Sequence, residues 1–252
     1  MQSCQIIALS RPGSRRQSLL QSHLARLGLE ALFLPGVYLE GPVEAEGSYD
    51  HAARKHRLGY DLTVGEVGCF LAHKAAWEQV ASGKTPCLIL EDDARLSVDL
   101  PGKLAEIAAA VAGTKVIIRL FSQRHPRAKI WRRLPSGLEI VRPLSPGHSA
   151  VAYMLAPIAA KALLLSSARF WQTLDDHLDD EPSHGCAVMH ALPELVSHED
   201  EGCSLIGERI KPALPLLFRA RRECLRALRK LLLAWHREKT LWSLGLRWPQ
   251  NR

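Results

Sequence analysis

The chain has 252 residues, of which 47% are hydrophobic and 23% are charged; this composition excludes a largely disordered protein. The net charge of +7 is concentrated at one end, since residues 209–252 hold twelve Lys or Arg and two acidic residues. Six cysteines without a CxxC pair exclude a zinc ribbon or a small disulfide scaffold, and they favour a reducing, cytoplasmic compartment.

The first sixty residues predict a strand, a helix and a second strand. Residues 4–9 form an apolar run that ends at a Pro-Gly turn, and residues 14–29 place leucines at helical spacing. Residues 30–37 resume the apolar character. This β–α–β order favours a parallel sheet with helices on its faces. Residues 40–60 are polar and aperiodic, and they predict a surface loop.

A helix and a strand with clear signals follow. Thr63 and Glu66 have the spacing of a capping box, so the helix should begin just after Thr63. Apolar residues then recur at helical spacing until Gly83. The stretch "PCLILEDD" at 86–93 predicts an apolar strand of the kind that is buried on both faces of a sheet.

The remaining elements up to residue 208 continue the alternation of helices and strands. They are, in order, a helix over 102–112, a strand over 115–121, a basic loop or hairpin over 123–137, a strand and helix over 148–167, an acidic loop over 175–185 and a strand over 186–196. We therefore expect one α/β domain over residues 1–208, with a mixed, mostly parallel sheet flanked by helices.

The three carboxylates Glu91, Asp92 and Asp93, here called the acidic trio, follow the apolar strand directly. In open α/β sheets, ligands bind at the carboxyl ends of the strands. Two carboxylates about 5 Å apart repel each other by roughly 3 kcal/mol, and a cation would remove this repulsion. Mg²⁺ and Mn²⁺ take oxygen ligands and bridge carboxylates to a diphosphate. The trio therefore predicts a divalent metal site, and three solvated acids that begin a loop are the alternative.

Two neighbouring blocks, "LTVGEVGCFLAHKAAWEQV" at 62–80 and "PCLILEDDARL" at 86–96, resemble glycosyltransferase family 25, the lipooligosaccharide galactosyltransferases and their relatives. The positions that carry the resemblance are Gly65, Glu66, Gly68, Cys69, His73, Trp77 and the acidic trio. Weaker similarities in "IIALSRPGSRR", "HSAVAYMLAPIAAKALL" and "LDDHL" extend the likeness over about 4–206. Ala72 departs from the serine that is usual in the family.

The resemblance implies a GT-A-like, Rossmann-like fold and the transfer of galactose from UDP-galactose to a lipooligosaccharide-type glycan, assisted by Mn²⁺ or Mg²⁺. Glu91 and Asp93 would hold the metal, and Glu91 and Asp92 would face the donor. A base is needed for the acceptor hydroxyl. Asp175 and Asp176 are the first candidates for this base, and a solvated acidic turn is the alternative at these positions.

Three further residues are candidates for donor binding, each with a structural alternative. Arg11 follows the first strand, as do the neighbouring Arg15 and Arg16, and its guanidinium could hold a phosphate or lie in a solvated basic turn. Glu66 could contact the donor or only cap its helix. His73 could reach the donor or pack in the core beside Trp77, while His190 and His198 are candidate metal ligands or ordinary surface residues.

The C-terminal stretch 212–242 predicts a basic amphipathic helix, because leucines recur every three to four residues with arginines among them. Such a helix is typical of proteins that lie on an anionic membrane. We therefore expect residues 209–252 to bind the inner face of the cytoplasmic membrane, where a lipid-linked acceptor would be reached. A helix packed on the domain is the alternative. No nucleic-acid-binding motif accompanies the charge, so no nucleic-acid partner is expected.

Two other functions use the same features. A metal-dependent phosphoryl-transfer or hydrolase domain would use the acidic trio without a sugar acceptor. A non-enzymatic membrane adaptor would use the basic C-terminal helix alone.

Overall fold

The computed structural model describes residues 4–198 and 215–243, apart from the side chains at 217 and 241–243. The strands are β1 Gln5–Ser10, β2 Leu32–Pro35, β3 Cys87–Glu91, β4 Ala94–Leu96, β5 Val116–Arg119, β6 Ala128–Arg133, β7 Glu139–Pro143, β8 Ala152–Leu155, β9 Ala187–Leu192 and β10 Val196–His198. The helices are α1 Arg15–Arg26, α2 His51–Leu58, α3 Val64–Ser82, α4 Leu100–Val111, α5 Pro157–Ser166, α6 Leu174–Leu178, α7 Glu181–His184 and α8 Leu216–Ser243.

Eight of these strands form one sheet in the order β2-β1-β3-β8-β5-β9-β7-β6. Strands β7 and β8 run against the other six, so the sheet is mixed and most of its strands share one direction. Strands β4 and β10 pair separately. The predicted α/β class, with a sheet flanked by helices, is confirmed. The basic segment at 123–137 contributes β6 to a hairpin with β7, as one of its two alternatives predicted.

The sheet is packed on both faces, which explains the continuous apolar run in β3. Leu88 and Leu90 face a hydrophobic layer that includes residues of α1 and α4. Cys87 and Ile89 point the other way, into a layer that includes residues of α3 and α5. Because successive side chains of a strand alternate between faces, only an uninterrupted apolar sequence fills both layers.

Helix α3 is fixed at its start and along its packed face. Thr63 and Glu66 form both halves of the predicted capping box. Gly68 lies against the backbone that follows β2, where a Cβ atom on it would be 2.2 Å from the carbonyl oxygen of Val37. The helix therefore approaches this backbone as closely as only glycine allows.

The prediction of a loop over 40–60 was wrong, because helix α2 lies within that range. Its N-cap Asp50 accepts a hydrogen bond from the Ala53 N–H, and Gly59 ends it in the left-handed conformation. The buried side chain of this helix is Arg54. A single buried arginine gives no apolar periodicity, so the usual helix signal was missing.

The prediction of an acidic loop over 175–185 was also wrong. The segment forms α6 and α7, and Asp179 and Glu181 are buried. Asp179 pairs with Arg119, and Glu181 pairs with Arg142. Buried carboxylates need such partners, and here the partners come from β5 and β7, far away in the sequence.

The predicted C-terminal helix is present as α8, and it contacts α2 and α7. The predicted boundary at residue 208 lies outside the described residues. Among the helices that the structure describes, none is long and apolar enough to cross a membrane.

Candidate active site

The acidic trio lies where two neighbouring parallel strands end. Leu9 of β1 pairs with Glu91 of β3, so the ends of both strands meet at one edge of the sheet. Ser10 ends β1, and its buried hydroxyl has no hydrogen-bond partner among the described residues. Asp92 and Asp93 form the turn that leads into β4. This edge is the expected place for a ligand in an open α/β sheet.

Two cationic or polar groups face the trio. Arg16, in the first turn of α1, has its Nη1 3.7 Å from Asp92 Oδ1 and 3.7 Å from Asp93 Oδ2. His198 of β10 has its Nε2 3.1 Å from Asp93 Oδ2. Burial raises the pKa of Asp92 and of Asp93, and neighbouring carboxylates of the trio add to both shifts. Arg16 and His198 therefore compensate only part of the repulsion among the three carboxylates.

The remaining oxygen of Asp93 fits a metal ion. Asp93 Oδ1 is buried and accepts no hydrogen bond from the part of the chain that the structure describes. An unpaired buried carboxylate oxygen is costly, and a hard divalent cation would satisfy it. The oxygens of the trio thus suit Mg²⁺ or Mn²⁺ in donor type and in charge.

His73 connects the trio to the core. Its Nε2 lies 3.1 Å from Glu91 Oε1, and its Nδ1 lies 2.8 Å from the hydroxyl of Tyr153. Trp77, one turn further along α3, donates its indole N–H to the same hydroxyl at 2.8 Å. His73 and Trp77 are buried, as the core alternative predicted, and His73 also contacts Glu91 of the trio.

Cys69, His73 and Glu91 form a second group that could hold a metal, since their donor atoms lie within 4.8 Å of one another. A sulfur and nitrogen set suits softer cations such as Zn²⁺. Burial, with the nearby Glu91 and Asp175, raises the pKa of the Cys69 thiol well above its usual range. The thiol therefore keeps its proton, with its Sγ 3.8 Å from Glu91 Oε1, and the oxygen set is the better match.

Of the two candidate bases, Asp175 lies close enough to the trio for the charge of Glu91 to affect its pKa. Burial, opposed by Arg119 and reinforced by the charges of Glu91 and Asp179, raises the pKa of Asp175 to about 6. The described contacts of Asp176 are made by its backbone, with Thr173 at its N–H and Arg229 at its carbonyl.

Two other donor-site candidates, Arg11 and Glu66, make contacts within the chain. The backbone of Arg11 hydrogen-bonds to Asp92, and its exposed guanidinium lies 5.5 Å from the ring centre of Tyr38. Glu66 is buried and accepts a hydrogen bond from the Thr63 N–H at 2.8 Å, as the capping alternative predicted.

Residues 1–178 match the sequence profile of "Glycosyltransferase family 25 (LPS biosynthesis protein)". The chain belongs to glycosyltransferase family 25. The predicted resemblance is therefore confirmed over more than half of the chain.

Curated relatives of this family-25 chain match over shorter stretches. A Bos taurus protein named "Probable inactive glycosyltransferase 25 family member 3" is 31% identical over 113 residues, which is 43% of this chain and 18% of the relative. An Aedes aegypti "Glycosyltransferase 25 family member" is 31% identical over 110 residues, which is 40% of this chain and 18% of the relative. The match spans less than a fifth of either relative.

One solved structure is also similar, that of a glycosyltransferase involved in the glycosylation of the major capsid of PBCV-1. It shares 13% identity and a TM-score of 0.37, covering 89% of this chain and 99% of its own.

This family-25 chain also contains a buried charge network that the sequence did not indicate. Arg119 Nη1 lies 2.7 Å from Asp179 Oδ1, and His148 Nδ1 lies 2.9 Å from Asp179 Oδ2. Burial alone would raise the pKa of Asp179, but Arg119 and His148 hold it below its usual range. Arg119 also opposes the upward shift in the pKa of Asp175, so this network tunes the candidate base.

The two late histidines of this family-25 chain, His190 and His198, have different surroundings. His198 contacts Asp93 as described and stacks on Phe121, which places it beside the candidate metal site. His190 is buried, and burial with the charge of Arg119 lowers its pKa to about 3. A Cβ atom on Gly147 would be 2.2 Å from its ring, so His190 packs against this glycine.

Proposed function

We propose that this family-25 domain transfers a hexose from a nucleotide-diphosphate sugar to a hydroxyl of a glycan, with the help of Mn²⁺ or Mg²⁺. The observation that carries the proposal is the buried, unpaired Asp93 Oδ1 in an acidic trio at the carboxyl edge of the sheet. Following the family resemblance, the donor is UDP-galactose and the acceptor is a lipooligosaccharide-type glycan. The acceptor is lipid-linked and is reached at the cytoplasmic face of the membrane.

The trio and α1 would bind the diphosphate end of the donor. Asp93 Oδ1 and an oxygen of Glu91 would hold the cation, and Glu91 Oε1 is already used by His73 and Cys69. When bound, the cation supplies compensation for the negative charge that develops on the departing diphosphate. Arg16 lies next to the same carboxylates and offers a guanidinium to a phosphate oxygen.

Asp175 is the proposed base. With a pKa of about 6 it is mostly ionised at neutral pH, yet it is basic enough to accept a proton. The acceptor hydroxyl would pass its proton to Asp175 as its oxygen attacks the anomeric carbon. The bond between that carbon and the diphosphate breaks, and the nucleoside diphosphate leaves with the bonding electrons.

Calorimetry with UDP and MnCl₂ tests the proposal. We expect Mn²⁺-dependent UDP binding in the wild type and at least a tenfold loss in Asp93→Asn. The matched control is Asp99→Asn, because Asp99 is an exposed aspartate that pairs with Lys103 of the next helical turn, in a part of the chain separate from the trio. Absence of Mn²⁺-dependent UDP binding in the wild type would contradict the proposal. Turnover of simple phosphate esters without a sugar acceptor would point to the hydrolase alternative instead.

A further inference from the structure

The outward face of α8 carries an exposed apolar stripe. Leu231 is 69% exposed and Trp235 is 62% exposed, although these are the side chains that a docked helix normally buries. The stripe, as defined here, consists of Leu216, Leu228, Leu231, Leu232 and Trp235. Cys224, also exposed, and three small alanines complete this side of the helix.

Basic residues lie within the stripe and along one of its edges. At 100° per residue, the exposed Arg221 and Lys239 fall between Leu228 and Leu232, and the exposed Arg219, Arg226 and Lys230 lie beyond Leu216. The acidic residues on this exposed side are Glu223 and Glu238, so the side has a net positive charge. Glu223 pairs with Arg226 at 3.1 Å.

The inner face of α8 is held to the domain by ion pairs. Arg237 is 3% exposed, and its Nη2 lies 3.0 Å from Glu181 Oε1. Arg229 lies 3.5 Å from Asp180 Oδ2 and donates to the carbonyl of Asp176 at 3.0 Å. The inner side of α8 thus combines these charged side chains with the half-buried Phe218, Leu225 and Leu233, and the stripe is a second apolar surface that faces outward. Packing on its own domain does not explain the stripe.

We infer that the stripe and the basic residues in and beside it form a face that binds an anionic phospholipid surface. Leucines and a tryptophan enter the boundary between headgroups and acyl chains, while arginines and lysines meet the phosphates. A second copy of the chain fits this face less well, because pairing two stripes would bring rows of like charge together. Nucleic acid would use the basic residues but leave the apolar side chains of the stripe exposed.

The attachment of α8 determines what such binding would place at the membrane. On its inner face, Arg229 contacts Asp176 and Asp180, and Arg237 contacts Glu181. These three acidic residues belong to the same segment as Asp175. A domain docked through α8 would therefore hold the candidate base near the surface that carries a lipid-linked acceptor. The inference that this face binds a membrane does not depend on the proposed function; only the position of the candidate base relative to the acceptor does.

Cosedimentation of the full chain with vesicles tests the inference. We expect binding to vesicles of phosphatidylcholine with 30% phosphatidylglycerol, little binding to phosphatidylcholine alone, and weakening in 0.5 M salt, where charges are screened. Leu231→Glu should weaken vesicle binding at least tenfold. Leu165→Glu is the matched control, because Leu165 on α5 is an equally apolar side chain that is 81% exposed, and it should leave binding unchanged.

Three outcomes would overturn the inference. The first is equal sedimentation of Leu231→Glu and wild type with anionic vesicles. The second is equal binding of the wild type to neutral and anionic vesicles. The third is a wild-type protein that binds no vesicles but forms a dimer, which the Leu231→Glu substitution dissociates. UDP binding by the same Leu231→Glu protein, measured by calorimetry, should match that of the wild type. Failure of the membrane face is thereby distinguished from failure of the donor site.

Discussion

The imidazole of His73 is hydrogen-bonded to the carboxylate of Glu91, with 3.1 Å between Nε2 and Oε1. Since a carboxylate only accepts, Nε2 carries a proton, and in a neutral imidazole Nδ1 then accepts from the hydroxyl of Tyr153. The Tyr153 oxygen in turn accepts from the indole N–H of Trp77. This chain of bonds fixes the orientation of Glu91 from the core, which explains why a histidine and a tryptophan one turn apart accompany the acidic trio.

Replacing His73 should therefore weaken the metal site through Glu91. We expect His73→Ala to lower Mn²⁺ affinity about 10- to 100-fold, as is typical when a group that orients a ligand is removed. Trp77→Phe keeps an aromatic ring in the core but removes the indole N–H that donates to Tyr153. This hydrogen bond is the one furthest from Glu91, so the effect on Mn²⁺ affinity should be smaller. Calorimetric titration with Mn²⁺ measures both. Unchanged Mn²⁺ affinity in a folded His73→Ala protein would show that the histidine only fills the core.

The ionisation of Asp175 should appear in the pH dependence of transfer. Its pKa is about 6, and a base works only when ionised, so kcat/KM should rise as the pH increases through about 6 and then level off. Asp175→Asn should abolish most of the activity. Asp176→Asn, a change at the neighbouring carboxylate, should retain both the activity and the rising limb. A rate profile that is flat between pH 5 and 7.5 would exclude Asp175 as the base.

The same residue should make the stability of the protein depend on pH. The pKa of Asp175 rises from 3.8 to about 6 on folding, so between these values the folded state binds more protons than the unfolded state. Its contribution therefore makes the free energy of unfolding fall as the pH increases from about 4 to about 6, by about 1–3 kcal/mol. Asp175→Asn should lose this contribution and be the more stable protein at pH 7. Urea unfolding of wild type, Asp175→Asn and Asp176→Asn at several pH values measures the difference, and parallel curves for all three would contradict it.

Two glycines in helices should respond to alanine in opposite directions. Gly68→Ala would drive a methyl group into the Val37 carbonyl, so it should destabilise the fold by about 1–3 kcal/mol. Gly102 lies in α4 with no atom within 4 Å of an added Cβ, so Gly102→Ala should stabilise by about 0.5–1 kcal/mol. Thermal and urea unfolding check the signs. An unchanged free energy of unfolding in Gly68→Ala would mean that α3 can move away from the Val37 carbonyl at no energetic cost.

The sequence allowed prediction of those parts of the structure whose signals are local. The capping box at Thr63 fixed the start of α3, and the apolar run before Glu91 indicated a central strand. Helix α2 was missed because its buried residue is Arg54, which has no place in an apolar pattern.

The site was predictable where its residues adjoin a strand end, as in the acidic trio. It was not predictable where partners come from distant elements. Nothing near Asp179 in sequence indicates Arg119 or Arg237, and nothing near Asp93 indicates His198. Spatial pairing of this kind depends on the order of strands in the sheet, which a single sequence does not specify.

The most direct measurement is the position of Mn²⁺ in a crystal of the protein grown with UDP and MnCl₂, located by the anomalous scattering of manganese. We expect one strong peak in coordination with Asp93 Oδ1 and an oxygen of Glu91, bridging to the diphosphate. A peak bound instead by Cys69 and His73, or carboxylates of the trio turned away from the bound phosphates, would contradict the proposed donor site.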